Sequence, residues 1–132
     1  MDKLVIEGDK PLKGEVKISG SKNAALPILA ATLLTDEPCI IRNVPNLRDT
    51  RTMIELLKTL GKKVEGSGGE LTVTANGKLN YVAEYKLVST MRGSFCVLGP
   101  LLAKLGKAKV SLPGGCVIGI RPVDLHMKGI MA

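Results

Sequence analysis

The order of apolar stretches and turn signals repeats once along this chain, and that repeat limits the folds it can adopt. Residues 21–34 and 87–106 each predict an apolar helix with a cationic residue, Lys22 or Arg92, near its start. Each is followed by a predicted strand and by a second helix that begins near an aspartate. A recurring unit of this kind predicts an α/β protein whose units pack side by side.

Residue patterns predict the individual elements as well. The predicted elements are helices over 21–34, 47–61, 87–106 and 121–132, strands over 3–8, 14–20, 38–45 and 107–113, and a hairpin over 62–75. Ser21 should cap the first helix, and Pro27 should distort it. Asp49 is a candidate cap for the second helix, whose apolar residues recur at helical spacing.

The second copy carries an extension, GGCVIGIR, that the first copy lacks. Functional residues are often placed on the loops of a repeated scaffold. Cys116 lies in this extension after two glycines, and Arg121 follows it. Because a nearby cation lowers the pKa of a thiol, Cys116 could act as an acid or a nucleophile, or it could be a small loop residue. Cys39 and Cys96 fall in apolar stretches, where we expect structural roles.

Lys22 and Arg92 both lie near predicted helix N-termini, where the helix dipole favours anions and disfavours cations. The same unfavourable placement in two copies suggests that a bound phosphate or carboxylate compensates, although two solvated side chains remain an alternative. Arg121 adds a planar donor fork suited to such groups. Asp124 could cap its helix or accept a hydrogen bond from a ligand.

Composition narrows the class of protein. The chain has 132 residues, a net charge of +7 and 45% hydrophobic residues, which suits one domain with a core. We expect no membrane span and no nucleic acid, because no apolar run is long enough, aromatic residues are few and basic residues are scattered. Three cysteines and one histidine do not form a metal-ligand pattern, and reduced thiols favour the cytoplasm.

Three stretches, SGSKNAALPILAA, TMRGSFCVLGPLLA and LPGGCVIGIRPVDLH, resemble the enolpyruvyl transferase family. The similarity covers essentially the whole chain, but only about the N-terminal third of the family's usual length. Gly93 departs from it, because alanine is expected at that position. The resemblance implies an α/β fold, an inside-out barrel of repeated β-α-β-α-β-β units that is incomplete here. Residues 1–20 would belong with the C-terminal domain, and 21–132 would form about one and a half units of the catalytic-loop domain.

Within that family, the similarity is to the branch that uses UDP-N-acetylglucosamine. It implies transfer of the enolpyruvyl group of phosphoenolpyruvate to the sugar 3-hydroxyl, with release of phosphate and with no metal or organic cofactor. Cys116 would be the general acid and would form a covalent adduct with phosphoenolpyruvate. The implied substrate-binding residues are Lys22, Asn23, Arg92, Arg121, Pro122, Val123, Asp124 and Leu125.

Two alternatives remain open at this stage. The first is the sister enzyme that acts on shikimate 3-phosphate, although it lacks a PGGC loop and has a serine where Asn23 stands. The second is a non-catalytic binding module, since two thirds of the family's length is absent from this sequence. The oligomeric state does not follow from the sequence.

Overall fold

The computed structural model describes residues 3–8, 11–67, 69–112 and 122–132. The α-helices are α1 (Lys22–Ala31), α2 (Arg48–Thr59), α3 (Tyr85–Val88), α4 (Leu98–Leu105) and α5 (Asp124–Met131), with 3-10 helices at Thr32–Leu34 and Arg92–Val97. The strands are β1 (Cys39–Ile41), β2 (Lys62–Ser67), β3 (Glu70–Ala75), β4 (Val82–Ala83) and β5 (Lys109–Val110). The described chain is therefore a mixed helix and sheet structure, as the repeat predicts.

Helix α1 begins as its sequence predicts. The Ser21 side chain accepts a hydrogen bond from the Ala24 N–H at 3.4 Å. The helix continues through Pro27 to Ala31, and its buried face packs against α2 and the 3-10 helix Arg92–Val97. The first residue of α1, Lys22, is thereby placed beside the starts of both neighbouring helices.

Helix α2 forms the centre of the core. Its predicted apolar face is confirmed, because Met53, Leu57 and Leu60 are fully buried and Ile54 packs against them. The prediction that Asp49 caps the helix is wrong. Leu47 occupies the N-cap position, and Asp49 is already the second residue of the helix. The Thr50 hydroxyl accepts the Leu47 N–H at 3.0 Å and donates to the Leu47 carbonyl at 2.8 Å, which ties down the start of the helix. The Asp49 side chain is thus free to point elsewhere.

The sheet follows the predicted hairpin. Strands β2 and β3 pair antiparallel, and β1 adds to the other edge of β3, in the order β1-β3-β2. The predicted buried strand over 38–45 is shorter than expected. It is also only half buried, because Ile40 lies opposite Thr72 and is 57% exposed. Strand β4, which the sequence did not predict, pairs in parallel with β5.

Two strands predicted over 3–8 and 14–20 are not formed in the described residues 3–8 and 11–20. Their apolar side chains are almost fully exposed, with Leu4 at 94% and Ile6 at 86%. Two short strands are marginal in water unless a third strand or a packed face stabilises them. No such partner lies beside them in the described part of the chain.

The single helix predicted over 87–106 is also wrong, because the segment is divided into three pieces. Helix α3 ends at Val88, Met91 is extended with φ near −149°, and a 3-10 helix then leads into α4. Met91 is buried, so its packing into the core overrides the helical propensity of the segment. Gly106, in the left-handed conformation at φ 68°, ends α4.

Replacing Ser94 with alanine is expected to leave stability unchanged or to raise the free energy of unfolding by up to about 1 kcal/mol. Ser94 is fully buried, and its hydroxyl has no hydrogen-bond partner among the described residues, so the substitution removes an unsatisfied polar group. Chemical denaturation of both proteins tests this.

The control for that substitution is Thr32→Val. Thr32 is also buried, but its hydroxyl donates to the Leu29 carbonyl at 2.7 Å. We expect its loss to cost about 0.5–1.5 kcal/mol, the usual contribution of one hydrogen bond. A Ser94→Ala protein that is less stable than Thr32→Val would contradict the expectation.

Candidate functional site

A cleft of about 800 Å³ opens where α1, the 3-10 helix Arg92–Val97 and α5 meet. Four of the residues predicted to bind substrate line it together: Lys22, Asn23, Arg92 and Val123. Lys22 and Arg92 come from the two copies of the repeat, so the fold brings the matching cations to one place. That convergence supports the prediction of a site for a small anion.

The carboxylate of Asp49 lies inside this cleft and pairs with Lys22. Lys22 Nζ is 2.9 Å from Asp49 Oδ2, and the two side chains are 44% and 32% exposed. The sequence suggested that a ligand has to supply the anion near Lys22. The structure corrects this, because the first turn of α2 supplies one from the protein itself.

Arg92 is positioned by the packing of its neighbours. It is the first residue of the 3-10 helix, and it lies between Met91, which is buried, and Gly93. A Cβ added at Gly93 would lie 2.7 Å from Leu26 Cδ1, so the turn sits directly on α1. Among the described carboxylates, none forms an ion pair with Arg92. Its guanidinium, unlike the Lys22 ammonium, is therefore not engaged by a described acid.

Cys96 also lines the cleft, which the sequence did not predict. We expected it on a buried apolar helix face, but it is exposed at the cleft wall. Partial burial raises the pKa of the Cys96 thiol, and the nearby charge of Arg92 only partly opposes this. The thiol is therefore not activated as a nucleophile at neutral pH.

Helix α5 closes one side of the cleft with Val123, His126 and Ile130. The His126 ring contacts the Phe95 ring edge to face, with 5.9 Å between centroids and an interplanar angle of 86°. None of the α5 residues is buried. His126 was visible in the sequence as the only histidine, but the spacing of the motif suggested no contact with Phe95.

Three other predicted substrate-binding residues lie in α5 or just before it. Pro122 lies just before α5, Asp124 is in the first turn of α5, and Leu125 is 74% exposed. None of these three lines the cleft. Cys116 and Arg121 lie outside the described residues, so their roles stay predictions.

Within the described ranges, no group of three or more His, Cys, Asp or Glu side chains could hold a metal ion. The described helices include none that is long and apolar enough to cross a membrane.

Residues 6–132 match the sequence family described as EPSP synthase (3-phosphoshikimate 1-carboxyvinyltransferase). The chain belongs to the EPSP synthase family. The resemblance seen in the three sequence stretches is thereby confirmed at the level of the family. The matched range includes every predicted site residue and every residue that lines the cleft.

Curated relatives carry a more specific name. The chain is 59% identical over 129 residues to the UDP-N-acetylglucosamine 1-carboxyvinyltransferase of Elusimicrobium minutum, and 56% identical over 132 residues to that of Geotalea uraniireducens. The protein of the same name from Methylacidiphilum infernorum is 57% identical over 131 residues. These alignments cover 98–100% of the chain but only 31–32% of each relative. The chain thus spans about a third of their length.

A solved structure supports the fold. The enolpyruvyl transferase NikO from Streptomyces tendae is 27% identical and superposes with a TM-score of 0.64. The superposition covers 72% of this chain and 22% of that one. The predicted fold class of this EPSP synthase family member, an enolpyruvyl transferase fold present only in part, is confirmed.

Proposed function

We propose that this chain is part of an enzyme that transfers the enolpyruvyl group from phosphoenolpyruvate to the 3-hydroxyl of UDP-N-acetylglucosamine, with release of phosphate. The observation that carries the proposal is the convergence of Lys22, Asn23 and Arg92 in one cleft. Its substrate assignment rests on the name shared by relatives that are 56–59% identical. Because the chain spans a third of their length, we expect activity only together with the remainder.

The chemistry needs fixed cations and a proton donor. The sugar 3-hydroxyl loses its proton to a base as its oxygen adds to C2 of phosphoenolpyruvate, while C3 takes a proton from an acid. The resulting tetrahedral intermediate then loses phosphate from C2 and a proton from C3, which restores the double bond. Lys22 and Arg92 would hold the phosphate as it becomes the leaving group. Cys116 would donate the proton to C3 and could bond covalently to phosphoenolpyruvate. No step requires a metal or an organic cofactor.

The UDP-sugar would bind along the start of α5. Asn23 lies beside Lys22 in the cleft and would contact the substrates. Arg121 would pair with an anionic group, and the uridine would lie against residues 122–125. Val123 is the member of that segment that lines the cleft in the described residues, which supports the assignment. Pro122, Asp124 and Leu125 would contact the nucleotide only outside this cleft, or after α5 shifts.

The family description includes a second candidate, transfer to shikimate 3-phosphate. Both reactions share phosphoenolpyruvate and the same leaving group, so Lys22 and Arg92 fit either. The names of the relatives and Asn23 favour the UDP-sugar. A non-catalytic binding module is the third candidate.

The exposed N-terminal segment fits a role outside the cleft. Leu4, Ile6, Leu12, Val16 and Ile18 are each at least 79% exposed. We propose that residues 1–20 form strands with the C-terminal domain of the longer protein, and that 21–132 form part of the catalytic-loop domain. Burying this apolar surface would stabilise that arrangement.

The wider role proposed for the protein follows from its substrate. Enolpyruvyl transfer to UDP-N-acetylglucosamine opens peptidoglycan synthesis, a cytoplasmic step on which cell shape and division depend. Cys116 would then be the residue that fosfomycin alkylates.

A chimera tests the proposed function. Residues 1–132 replace the matching segment of the Elusimicrobium minutum relative, and phosphate release from phosphoenolpyruvate is measured. We expect release with UDP-N-acetylglucosamine and none with shikimate 3-phosphate. The unmodified relative is the positive control.

Two other results of the chimera experiment would each favour one of the alternative functions. Release with shikimate 3-phosphate alone would favour the second candidate. A folded chimera that releases no phosphate, beside an active relative, would favour the binding module.

A further inference from the structure

Asp49 is a carboxylate inside a cleft that otherwise suits anions. Among the described lining residues it is the one acidic side chain, beside the cations Lys22 and Arg92. It does not cap α2, because Leu47 is the N-cap residue and Asp49 lies within the first turn of the helix. Its contact in the cleft is the ion pair with Lys22, at 2.9 Å. The packing of α2 against α1 brings the two side chains together.

We propose that Asp49 is a resident counter-ion that competes with phosphate for Lys22 and so limits how tightly the cleft retains inorganic phosphate. The inference rests on the proposed function, in which phosphate is a product that has to leave. Asp49 acts through Lys22, so it is a positioning residue and does not itself contact the reacting atoms.

The direction of its effect follows from charge. A phosphate bound to the Lys22 ammonium has either to displace the Asp49 carboxylate or to share the ammonium with it. Displacement costs the existing ion pair, and sharing places two anions near each other. Both costs weaken phosphate binding, and both disappear when the carboxylate is replaced by a neutral group.

The proposed consequence is faster release of product. While phosphate is still attached to the substrate, other parts of that substrate add binding energy that the free ion lacks. The cost of the competing carboxylate is therefore a larger fraction of the total binding free energy for free phosphate than for the substrate. When phosphate dissociates, Asp49 re-forms its pair with Lys22.

The test measures the dissociation constant of inorganic phosphate with the 132-residue chain, by NMR titration at one pH and constant ionic strength. Asp49→Asn is expected to tighten binding about three- to tenfold, as removal of one partly exposed charge allows. Asp49→Glu keeps the carboxylate and is expected to stay within twofold of the original chain. Asp49→Ser is a second neutral variant, in case the asparagine protein does not fold.

A matched control separates this effect from a general gain of positive charge. Asp36 pairs with Lys104 at 2.7 Å and lies outside the residues that line the cleft. Asp36→Asn makes the same change in net charge and is expected to alter phosphate binding less than twofold. The double variant Lys22→Met/Asp49→Asn should lose the gain, since Lys22 transmits it.

Three outcomes would overturn the proposal. Unchanged or weaker phosphate binding in a folded Asp49→Asn chain would mean that the carboxylate does not compete, and would leave the proposed function intact. An equal gain in Asp36→Asn would reduce the effect to net charge. Absence of phosphate binding in every variant would remove the anion site itself, and with it the main support for the proposed function.

Discussion

Replacing Lys22 with methionine is expected to lower kcat/KM for phosphoenolpyruvate about 10- to 100-fold in the chimera, the effect of losing one charged hydrogen bond. The ammonium lies in the cleft, where its N–H donors not engaged by Asp49 can face a ligand. Methionine keeps a similar length and removes the charge. Steady-state kinetics with varied phosphoenolpyruvate measures the change.

Lys58→Met is the matched control for that substitution. Lys58 is 45% exposed against 44% for Lys22, and it also forms an ion pair, with Glu55 at 2.8 Å. It lies on α2, outside the residues that line the cleft. We expect its kcat/KM to stay within twofold of the parent. Equal losses in the two variants would show that Lys22 contributes only general basicity.

Replacing Lys62 with methionine is expected to raise the free energy of unfolding by about 1–3 kcal/mol at neutral pH, because it removes a buried charge. Lys62 is only 2% exposed, and its ammonium donates to the Thr35 carbonyl at 2.5 Å. Burial lowers the pKa of Lys62 below its ordinary value of 10.5, although the charge of Asp36 opposes the shift. Chemical denaturation at neutral pH measures the difference.

The same substitution should also change how stability depends on pH. Since the folded protein releases the Lys62 proton at a lower pH than the unfolded chain does, the unfolded state binds more protons in the window below 10.5. The cost of burying the charged form is present in full below the folded-state pKa. It diminishes as pH rises through that window, so the parent gains stability there. Lys62→Met should not show this gain.

Lys63→Met serves as the control. Lys63 is the next residue of β2, is exposed, and pairs with Glu65 at 3.0 Å. Exposed ion pairs contribute little, so we expect a change of no more than about 0.5 kcal/mol. If Lys62→Met unfolds more easily than Lys63→Met, the hydrogen bond to Thr35 outweighs the cost of the buried charge.

Local sequence patterns were enough to predict the helices and strands whose conformation is determined by their own residues. The apolar spacing of Met53, Leu57 and Leu60 predicted α2, and the alternation that places Leu71 and Val73 on one face predicted the hairpin. In both cases periodicity and turn residues favour the same conformation. These are the elements that form the centre of the described core.

Elements that depend on distant contacts could not be predicted in the same way. The helix predicted over 87–106 is broken at Met91, whose side chain is buried, and the two residues of β4 are too few to carry a periodic signal. The alternation in residues 3–8 resembles that of a true strand, but a strand needs a neighbour to pair with. Sequence patterns report which face is apolar and do not report what covers it.

The sequence predicted the cations of the candidate site but not the side chains that surround them. The repeat placed Lys22 and Arg92 at matching positions, and the fold brings them into one cleft. The carboxylate of Asp49 was read as a helix cap, because a cap and a counter-ion at the start of a helix look alike in sequence. The apolar pattern predicts Cys96 on a buried helix face, whereas the 3-10 helix Arg92–Val97 exposes it at the cleft wall.

The contact between Gly93 and Leu26 has a further meaning for how this site is specified. The space that a methyl group at position 93 would need is already filled by a methyl group of Leu26. The two positions therefore share one fixed volume, and a carbon gained at one has to be given up or moved aside at the other. The position of the turn that carries Arg92 is in this sense encoded jointly by two helices far apart in the sequence.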